Sequence, residues 1–291
     1  MTNIIIKRYN LEHVISHNKE LYNVNNLWVS RGATKPEDYR LVNDNVNTSK
    51  WIDSFHKDKY SYIDFNKNDI EWMFKAIKIG AQTGTFSRLH VEELEWTYEK
   101  YNERFLTAMA KIGLSEVFIR SETVSLKYGQ YGAGPYSDFK KVLMSMASSM
   151  WGHEVFQDDE PYYRIYLFPW LAMEKDKEFR IFVHNNSITA ISQQHIYSVN
   201  DWLNTLEDSE IVSVVGEKIL EFFRTNIRSK LEWLHDYVMD LSILETGEPY
   251  FIEVNPFGGD YTSGSALFHW SIDHDTLYDD KSIEFRYTKV R

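Results

Sequence analysis

The residues best suited to bind a metal lie near the end of the sequence, in Tyr237–Pro256 (YVMDLSILETGEPYFIEVNP). Polar and apolar residues alternate on both sides of a turn that contains Gly247, a pattern that predicts a β-hairpin. If the turn is centred just before Gly247, Asp240 lies opposite Glu253, and Asn255 projects from the same face two residues later. The other face is apolar and carries Met239, Leu241, Ile243, Ile252 and Val254.

Two carboxylates that face each other across a strand pair repel, so something must offset the charge of Asp240 and Glu253. A divalent cation such as Mg²⁺ does so with oxygen ligands, and Asn255 supplies an amide oxygen. Without a metal, the pair would face solvent or be relieved by a nearby Arg or Lys. The sequence NPFGG that begins at Asn255 favours the metal site, because it specifies a rigid turn directly after the acids.

A second hairpin is predicted in residues 178–193, where two consecutive asparagines suit a two-residue turn. This pairing places Glu178 opposite Gln193, either as supporting residues of a ligand site or as a cross-strand hydrogen bond. Arg180 lies inside the first strand, where an unpaired guanidinium would be costly to bury. We therefore expect Arg180 to contact a phosphate group or to pair with a carboxylate.

Helices and strands alternate along the rest of the chain, and their order predicts an α+β protein with mainly antiparallel sheets. Helices are expected at Asp69–Gly80, at His90–Gly113, from a Ser137 cap to about Met150, and at Asp208–Trp233. Strands are expected at Glu116–Arg120 and Tyr162–Phe168. Because Pro169-Trp170 interrupts the second strand, we expect two lobes, residues 1–168 and residues 169–291.

Composition excludes several classes of function. The net charge of −11 argues against a broad nucleic-acid-binding surface, which needs a basic stripe. The absence of cysteine excludes disulfides and thiolate metal sites. No apolar run approaches the roughly 18 residues of a membrane span, and the N-terminus lacks the apolar run of a signal peptide, so a cytoplasmic location is expected.

Three segments resemble the cell division cycle protein 123 family. FIEVNPFGG, followed by ALFHW, is similar to the family's I-D-F-N-P-F-G and leucine-phenylalanine-x-tryptophan blocks. Glu178–Tyr197 (EFRIFVHNNSITAISQQHIY) resembles E-F-R-x-F-V, a short turn and I-S-Q-R. Arg120–Lys127 (RSETVSLK) resembles K-L-N-W-S-A-P-R more weakly. The first hundred residues match no family segment.

The resemblance implies an ATP-grasp-like fold, in which two lobes enclose a nucleotide cleft that binds ATP and Mg²⁺. It assigns the metal ligands to Asp240, Glu253 and Asn255. Arg120 and Lys127 would contact phosphates, aided by a flexible loop that contains the glycines of GQYGAG. Two departures stand out: Glu253 replaces the usual Asp and Arg120 replaces the usual Lys, although Arg can still hold phosphate as a fork.

The resemblance also implies an adenine contact at the hinge and a catalytic role for Arg180, which would stabilise charge on the transferring phosphate. Each of these residues has a plainer interpretation, as a core patch, a salt bridge or a connector. The complete set expected to bind the nucleotide is Arg120, Lys127, Phe168, Trp170, Leu171, Glu178, Arg180 and Gln193.

Two functions of different classes follow from the resemblance. The first is an ATP-dependent ligase that activates a carboxylate for attack by a nucleophile, with an unknown acceptor for which a protein is one candidate. The second is a nucleotide-dependent binding protein, because the eukaryotic members of the family assist assembly of translation initiation factor 2. The ligase is the favoured interpretation at this point, although the sequence leaves catalysis undecided.

Overall fold

The computed structural model describes residues 3–156, 163–279 and 281–290. The chain forms two compact units, each built around its own sheet. Residues 52–172 form the small-sheet unit, and residues 1–51 together with 173–291 form the large-sheet unit. The predicted lobes were continuous in sequence, whereas here the small-sheet unit is inserted between two parts of the large-sheet unit.

The large-sheet unit contains six strands in the order β1-β9-β6-β5-β7-β8. The first and last strands of the chain pair in parallel, β9 and β6 also run parallel, and the remaining pairs are antiparallel. The strand bounds are β1 Ile4–Asn10, β5 Glu178–His184, β6 Ser187–Gln193, β7 Tyr237–Ile243, β8 Pro249–Pro256 and β9 Ile283–Lys289.

Short helices surround this sheet. They are α1 Leu11–Ser16, α2 Leu27–Ser30, α3 Tyr39–Asp44, α8 Asp201–Asn204, α9 Asp208–Glu210, α10 Glu217–Phe222 and α11 His274–Leu277. The π-helical segment Ile211–Gly216 joins α9 to α10, and a second one, Phe223–Ile227, extends the same helical stretch beyond α10. The predicted helix at Asp208–Trp233 is present, but it ends earlier, at Ile227.

The small-sheet unit has three antiparallel strands in the order β2-β4-β3, with bounds β2 Ser61–Phe65, β3 Val117–Arg120 and β4 Tyr163–Pro169. Its helices are α5 Lys67–Thr83, α6 Val91–Lys111 and α7 Phe139–Met146, and α4 Thr48–His56 spans the division between the units. The apolar sides of α5, α6 and α7 pack with the strands into one core that includes the buried Tyr101, Phe105 and Phe139.

Most predicted elements are present, with shifted ends. The α7 cap is Asp138 and not Ser137, since the Asp138 carboxylate accepts a hydrogen bond from the Lys140 N–H at 2.9 Å. The predicted strand start at Tyr162 lies outside the described residues, and Pro169 belongs to β4. The α+β class with mainly antiparallel sheets is confirmed. None of the helices formed by the described residues is both long and apolar enough to cross a membrane.

Candidate nucleotide and metal site

The predicted facing of Asp240 and Glu253 is confirmed by the pairing of β7 with β8. Val238 likewise pairs with Asn255. The register shifts by one residue between Asp240 and Leu241, so that Leu241 pairs with Phe251 and the remainder of the hairpin departs from the expected pairing. This bulge lies directly beside the acids, which keep the positions that the alternating pattern predicts.

Arg180 on β5 is the direct cross-strand neighbour of Asp240. Its Nε donates to Asp240 Oδ1 at 2.9 Å and its Nη2 donates to Asp240 Oδ2 at 2.7 Å, a bidentate ion pair. Both side chains are buried. Of the two partners expected for Arg180, this structure therefore shows the carboxylate.

Two amide groups also donate to Asp240. Asn255 Nδ2 and Gln194 Nε2 each lie 3.3 Å from Asp240 Oδ2. Gln194 was not among the predicted site residues, because Glu178 was expected to face Gln193. That register is wrong: a shift between Phe182 and Val183 pairs Gln193 with Phe179.

Gln193 is engaged elsewhere in the large-sheet unit. Its amide nitrogen donates to the carbonyl groups of His195 and Ser198, and its amide oxygen accepts from the Thr288 N–H at 2.8 Å. Glu178 lies 3.2 Å from His195 Nε2. Both residues thus remain in the same unit as Asp240, although Gln194 is the glutamine that contacts it.

The acids belong to one row of residues that crosses all six strands. Direct cross-strand pairing places the following residues side by side, in strand order: Lys7, Arg286, Ser192, Arg180, Asp240 and Glu253. Direct neighbours in a sheet project from the same face, so these side chains form a polar line across it. The two acids occupy the β7–β8 end of this line.

Arg286 forms a second buried ionic cluster on the same row. Its guanidinium contacts Asp273 at 2.6 Å and Glu284 at 2.5 Å, and Glu284 also contacts Lys7 at 2.6 Å. Burial acts to lower the pKa of Arg286, but the contacts with Asp273 and Glu284 act to raise it, and the pKa lies above its ordinary value. The four side chains carry two positive and two negative charges.

The segment after the NPFGG turn covers part of the row. The Gly264 carbonyl accepts from Arg180 Nη1 at 2.7 Å, and the Leu267 carbonyl accepts from Arg286 Nη1 at 2.9 Å. The Leu267 N–H donates to Ser192 Oγ at 3.2 Å. This segment therefore holds both guanidinium groups in place.

The N-terminal residues contact the NPFGG turn and the segment after it, a role that was not predicted. The Leu27 N–H donates to the Gly259 carbonyl at 2.9 Å, and the Asn23 N–H donates to the Ala266 carbonyl at 2.7 Å. A Cβ at Gly259 would lie 2.6 Å from Leu27 Cδ1 and 2.9 Å from Trp270 Cβ, and the second contact is close to the backbone and favours glycine here. No local pattern in residues 1–51 signals these contacts, since both partners are more than 200 residues away.

The remaining predicted ligands lie in the small-sheet unit. Arg120 is buried at the end of β3, and Lys127 is exposed, with its Nζ 5.5 Å from the centre of the Tyr128 ring. Phe168 is buried in contact with the His56 and Phe118 rings. Trp170 and Leu171 follow β4 and are half-buried.

The glycine-containing loop is not free to offer its backbone donors in this conformation. The Gln130 and Tyr131 N–H groups donate to Ser148 Oγ and Ser145 Oγ at 3.0 and 3.1 Å. A Cβ at Gly129 would lie 2.5 Å from the Ser145 carbonyl oxygen, so only glycine permits this approach. In this conformation the loop thus contacts serine side chains at and just beyond the end of α7, and its role as a flexible phosphate-binding loop stays a prediction.

Electrostatics at Asp240 reflect its two ionic neighbours. Burial raises the pKa of Asp240, and the facing Glu253 acts in the same direction, whereas Arg180 acts to lower it. The pKa of Asp240 therefore lies above its ordinary value, because the Arg180 guanidinium does not fully offset the effects of burial and of the Glu253 carboxylate.

The donor set is compatible with a hard divalent cation. Asp240, Glu253 and Asn255 offer two carboxylates and an amide, the ligand types that Mg²⁺ accepts. Rotation of the Asn255 amide would present its oxygen in place of the nitrogen that now contacts Asp240. Among the described residues, no cluster of three His, Cys, Asp or Glu side chains is suited to a metal.

Comparison with known structures identifies the fold. The structure of Cdc123 from Schizosaccharomyces pombe superimposes with a TM-score of 0.60, covering 84% of this chain and 96% of that chain. The sequences are 18% identical, so the comparison concerns the fold alone. The protein therefore has a Cdc123-type α+β fold.

Comparison of sequences identifies the family. Residues 137–291, more than half of the chain, match the D123 family. The chain belongs to this family, and the resemblance to the cell division cycle protein 123 family is confirmed. The matched region contains Arg180, Asp240, Glu253 and Asn255, whereas Arg120 and Lys127 precede it.

Two curated relatives carry the same name. The translation initiation factor eIF2 assembly protein of Danio rerio is 32% identical over 117 residues, which are 39% of this chain and 31% of that protein. The protein of that name from Candida albicans is 31% identical over 111 residues, 37% of this chain and 30% of that protein. The matches thus span less than a third of either relative.

Proposed function

We propose that the protein binds ATP together with Mg²⁺ on the β7–β8 hairpin and uses the nucleotide-bound form to hold a protein partner during assembly. The observation that carries the proposal is the cluster of Asp240, Glu253 and Asn255 with Arg180. It combines oxygen ligands for a cation with a guanidinium suited to phosphate.

The assembly role is supported by the names of the relatives. The proteins from Danio rerio and Candida albicans are named as eIF2 assembly proteins, and both match this chain over more than a third of its length. The names favour a protein partner over a small acceptor molecule. The ligase activity expected from the sequence stays a prediction.

In the proposed complex, a bound Mg²⁺ would neutralise phosphate charge and contact Asp240, Glu253 and Asn255. Arg180 would provide a second positive charge beside the same phosphates. Arg120 and Lys127 remain proposed phosphate contacts, and Phe168, Trp170 and Leu171 remain proposed adenine contacts. These assignments retain the roles implied by the family resemblance.

Titration calorimetry of the full chain with ATP tests the proposal, with and without Mg²⁺. Asp240→Asn should weaken binding of ATP·Mg²⁺ by about 100-fold, because a charged ligand is lost. Asp260→Asn is the matched control, since Asp260 is a partly exposed acid in the same unit and pairs with Arg31. Equal affinities of wild type and Asp240→Asn for ATP·Mg²⁺ would refute the site.

Mass spectrometry of the nucleotide recovered after incubation separates the two functions. An assembly factor that uses ATP as a lock should release intact ATP when no partner is present and bind its partner more tightly with ATP than without it. A ligase should convert ATP to ADP or AMP when its acceptor is added. Conversion that depends on a small carboxylic acid would contradict the assembly role.

A further inference from the structure

The orientation of the Arg180 guanidinium depends on the backbone at Gly264. Nε and Nη2 donate to the two Asp240 oxygens, and Nη1 donates to the Gly264 carbonyl at 2.7 Å. Each nitrogen of the group thus has an acceptor. Because a guanidinium is planar and rigid, fixed acceptors on two sides determine its plane as well as its position. A shift of Gly264 would therefore turn Arg180 at the proposed phosphate site.

Asn23 packs directly against Gly264. A Cβ at position 264 would lie 2.2 Å from Asn23 Oδ1 and 3.5 Å from Arg180 Nη1, so the two side chains flank the same point. The first distance is well below the 3.0 Å that a Cβ normally keeps. Gly264 does not have the positive φ of Gly258, so the close approach of Asn23, and not the backbone conformation, requires glycine at position 264.

Asn23 is itself held by its neighbours. Its backbone has a φ of 51°, a left-handed conformation that asparagine tolerates better than most residues. Its N–H donates to the Ala266 carbonyl at 2.7 Å, and its Nδ2 donates to the Tyr197 hydroxyl at 3.3 Å. Tyr197 in turn donates to Asn18 Oδ1 at 2.6 Å. The amide oxygen of Asn23 is thus kept against Gly264.

We propose that Asn23 is a positioning residue of the nucleotide site: its side chain seats Gly264, and the Gly264 carbonyl orients the Arg180 guanidinium for contact with phosphate. This inference rests on the proposed ATP·Mg²⁺ site. It gives a role in ligand binding to a residue that lies outside the region 137–291 matched by the family. Asn23 acts through Gly264 and does not touch the ligand.

Titration calorimetry of full-chain variants with ATP and Mg²⁺ tests this pathway as a double-mutant cycle. Asn23→Gly, which permits the positive φ, should weaken binding by about 10-fold. Gly264→Ala should weaken it by a larger factor, up to about 100-fold, because the methyl group meets Asn23 Oδ1. The double variant should bind no more weakly than Asn23→Gly, since the clash is gone. If the two losses multiplied instead, the residues would act independently and the inference would be overturned.

Asn25→Ala serves as the matched control. Asn25 is an asparagine of the same N-terminal segment, and its Nδ2 donates to the Thr262 carbonyl at 3.0 Å, close in sequence to Gly264. Its loss removes one contact with the segment after the NPFGG turn but none with Gly264. The affinity for ATP·Mg²⁺ should stay within about 2-fold of wild type. A loss as large as that of Asn23→Gly would show a general effect of loosening this segment and would overturn the inference.

Nuclear magnetic resonance of the ligand-free protein provides a readout that a merely structural role would not move. The Nε–Hε signal of Arg180 is assigned by its loss in Arg180→Lys. In Asn23→Gly this signal should shift and broaden, because the guanidinium gains freedom, whereas in Asn25→Ala it should keep its position. An unchanged signal or an unchanged affinity in Asn23→Gly overturns the inference while leaving ATP·Mg²⁺ binding by wild type intact. Failure of wild type to bind ATP·Mg²⁺ overturns the proposed function itself.

Discussion

The two ionic clusters on the large sheet share a row and are each centred on a buried arginine, but their acids are arranged differently. Arg286 and Lys7 face Glu284 and Asp273, so positive and negative charges are equal. Arg180 pairs with Asp240, and Asp240 faces a second acid, Glu253, across the next strand pair. Acids that each contact a base stabilise the fold, whereas two acids that face each other repel and are suited to bind a cation between them.

The two clusters also differ in their contacts with the segment that follows the NPFGG turn. Arg286 donates to Asp273 and to the Leu267 carbonyl of this segment, and Arg180 donates to its Gly264 carbonyl. Both guanidinium groups are thus held by the same chain segment, which supplies Arg286 with a carboxylate as well as a carbonyl. The comparison predicts that changes in the two clusters have separable effects on stability and on ligand binding.

The largest expected effect is on stability, from Arg286→Met. The change leaves Asp273 and Glu284 partly buried without their shared cation, and it should lower the free energy of unfolding by about 3–5 kcal/mol. Urea denaturation measures this loss. Lys7→Met, at the exposed edge of the same cluster, should cost no more than about 1 kcal/mol. If Arg286→Met lowered the free energy of unfolding no more than Lys7→Met does, Arg286 would not be the residue that holds the cluster together.

The second effect is on ligand binding, from Glu253→Gln. Removal of one facing carboxylate should weaken ATP·Mg²⁺ binding by at least about 10-fold. Because the change also removes the like charge that faces Asp240, the ligand-free protein should lose less stability than it does with Arg286→Met. Calorimetry and urea denaturation measure the two quantities, and Glu248→Gln, on the exposed turn of the same hairpin, is the control. If Glu253→Gln lowered stability but left the affinity for ATP·Mg²⁺ unchanged, this cluster would serve the fold and not ligand binding.

A third effect concerns pH. Burial and Glu253 raise the pKa of Asp240 above its ordinary value of 3.8. A carboxyl group whose pKa is raised on folding stabilises the folded state at low pH, and this contribution is lost as pH rises through the folded value. The folded state of wild type should therefore lose this stabilisation as the pH rises above 3.8. Its affinity for Mn²⁺ should rise over the same pH range, because protons leave Asp240. Urea denaturation across pH, with Asp240→Asn as reference, measures the difference; identical profiles would contradict the raised pKa.

The smallest expected effect is in the other unit. Lys127 is exposed, and its proposed phosphate contact should contribute no more than about 1 kcal/mol. Lys127→Ala should therefore weaken ATP·Mg²⁺ binding by at most about 5-fold, as measured by calorimetry. A loss as large as that of Asp240→Asn would move the centre of nucleotide binding away from the β7–β8 hairpin.

The sequence predicted the local parts of the site and missed the parts that depend on distant pairing. The facing of Asp240 and Glu253 followed from alternation on both sides of one turn, which is short-range information. The partner of Arg180 could not be chosen between carboxylate and phosphate, because β5 and β7 are 60 residues apart at this contact. That pairing depends on the order of strands in the sheet.

Bulges account for a further part of what was missed. One shift between Phe182 and Val183 replaced Gln193 by Gln194 at the site, since a displacement of one residue exchanges the faces of a strand. The grouping of residues 1–51 with the C-terminal part was equally inaccessible. It depends on the parallel pairing of β1 with β9 and on contacts with the NPFGG turn, and neither has a local signature.

A crystal of the full chain soaked with Mn²⁺ and a non-hydrolysable ATP analogue tests the central claim most directly. Anomalous scattering locates the manganese without reference to the surrounding density. The expected result is a peak in contact with Asp240, Glu253 and Asn255, with the Arg180 guanidinium in contact with a phosphate oxygen. A nucleotide bound with its metal away from these three side chains would contradict the account.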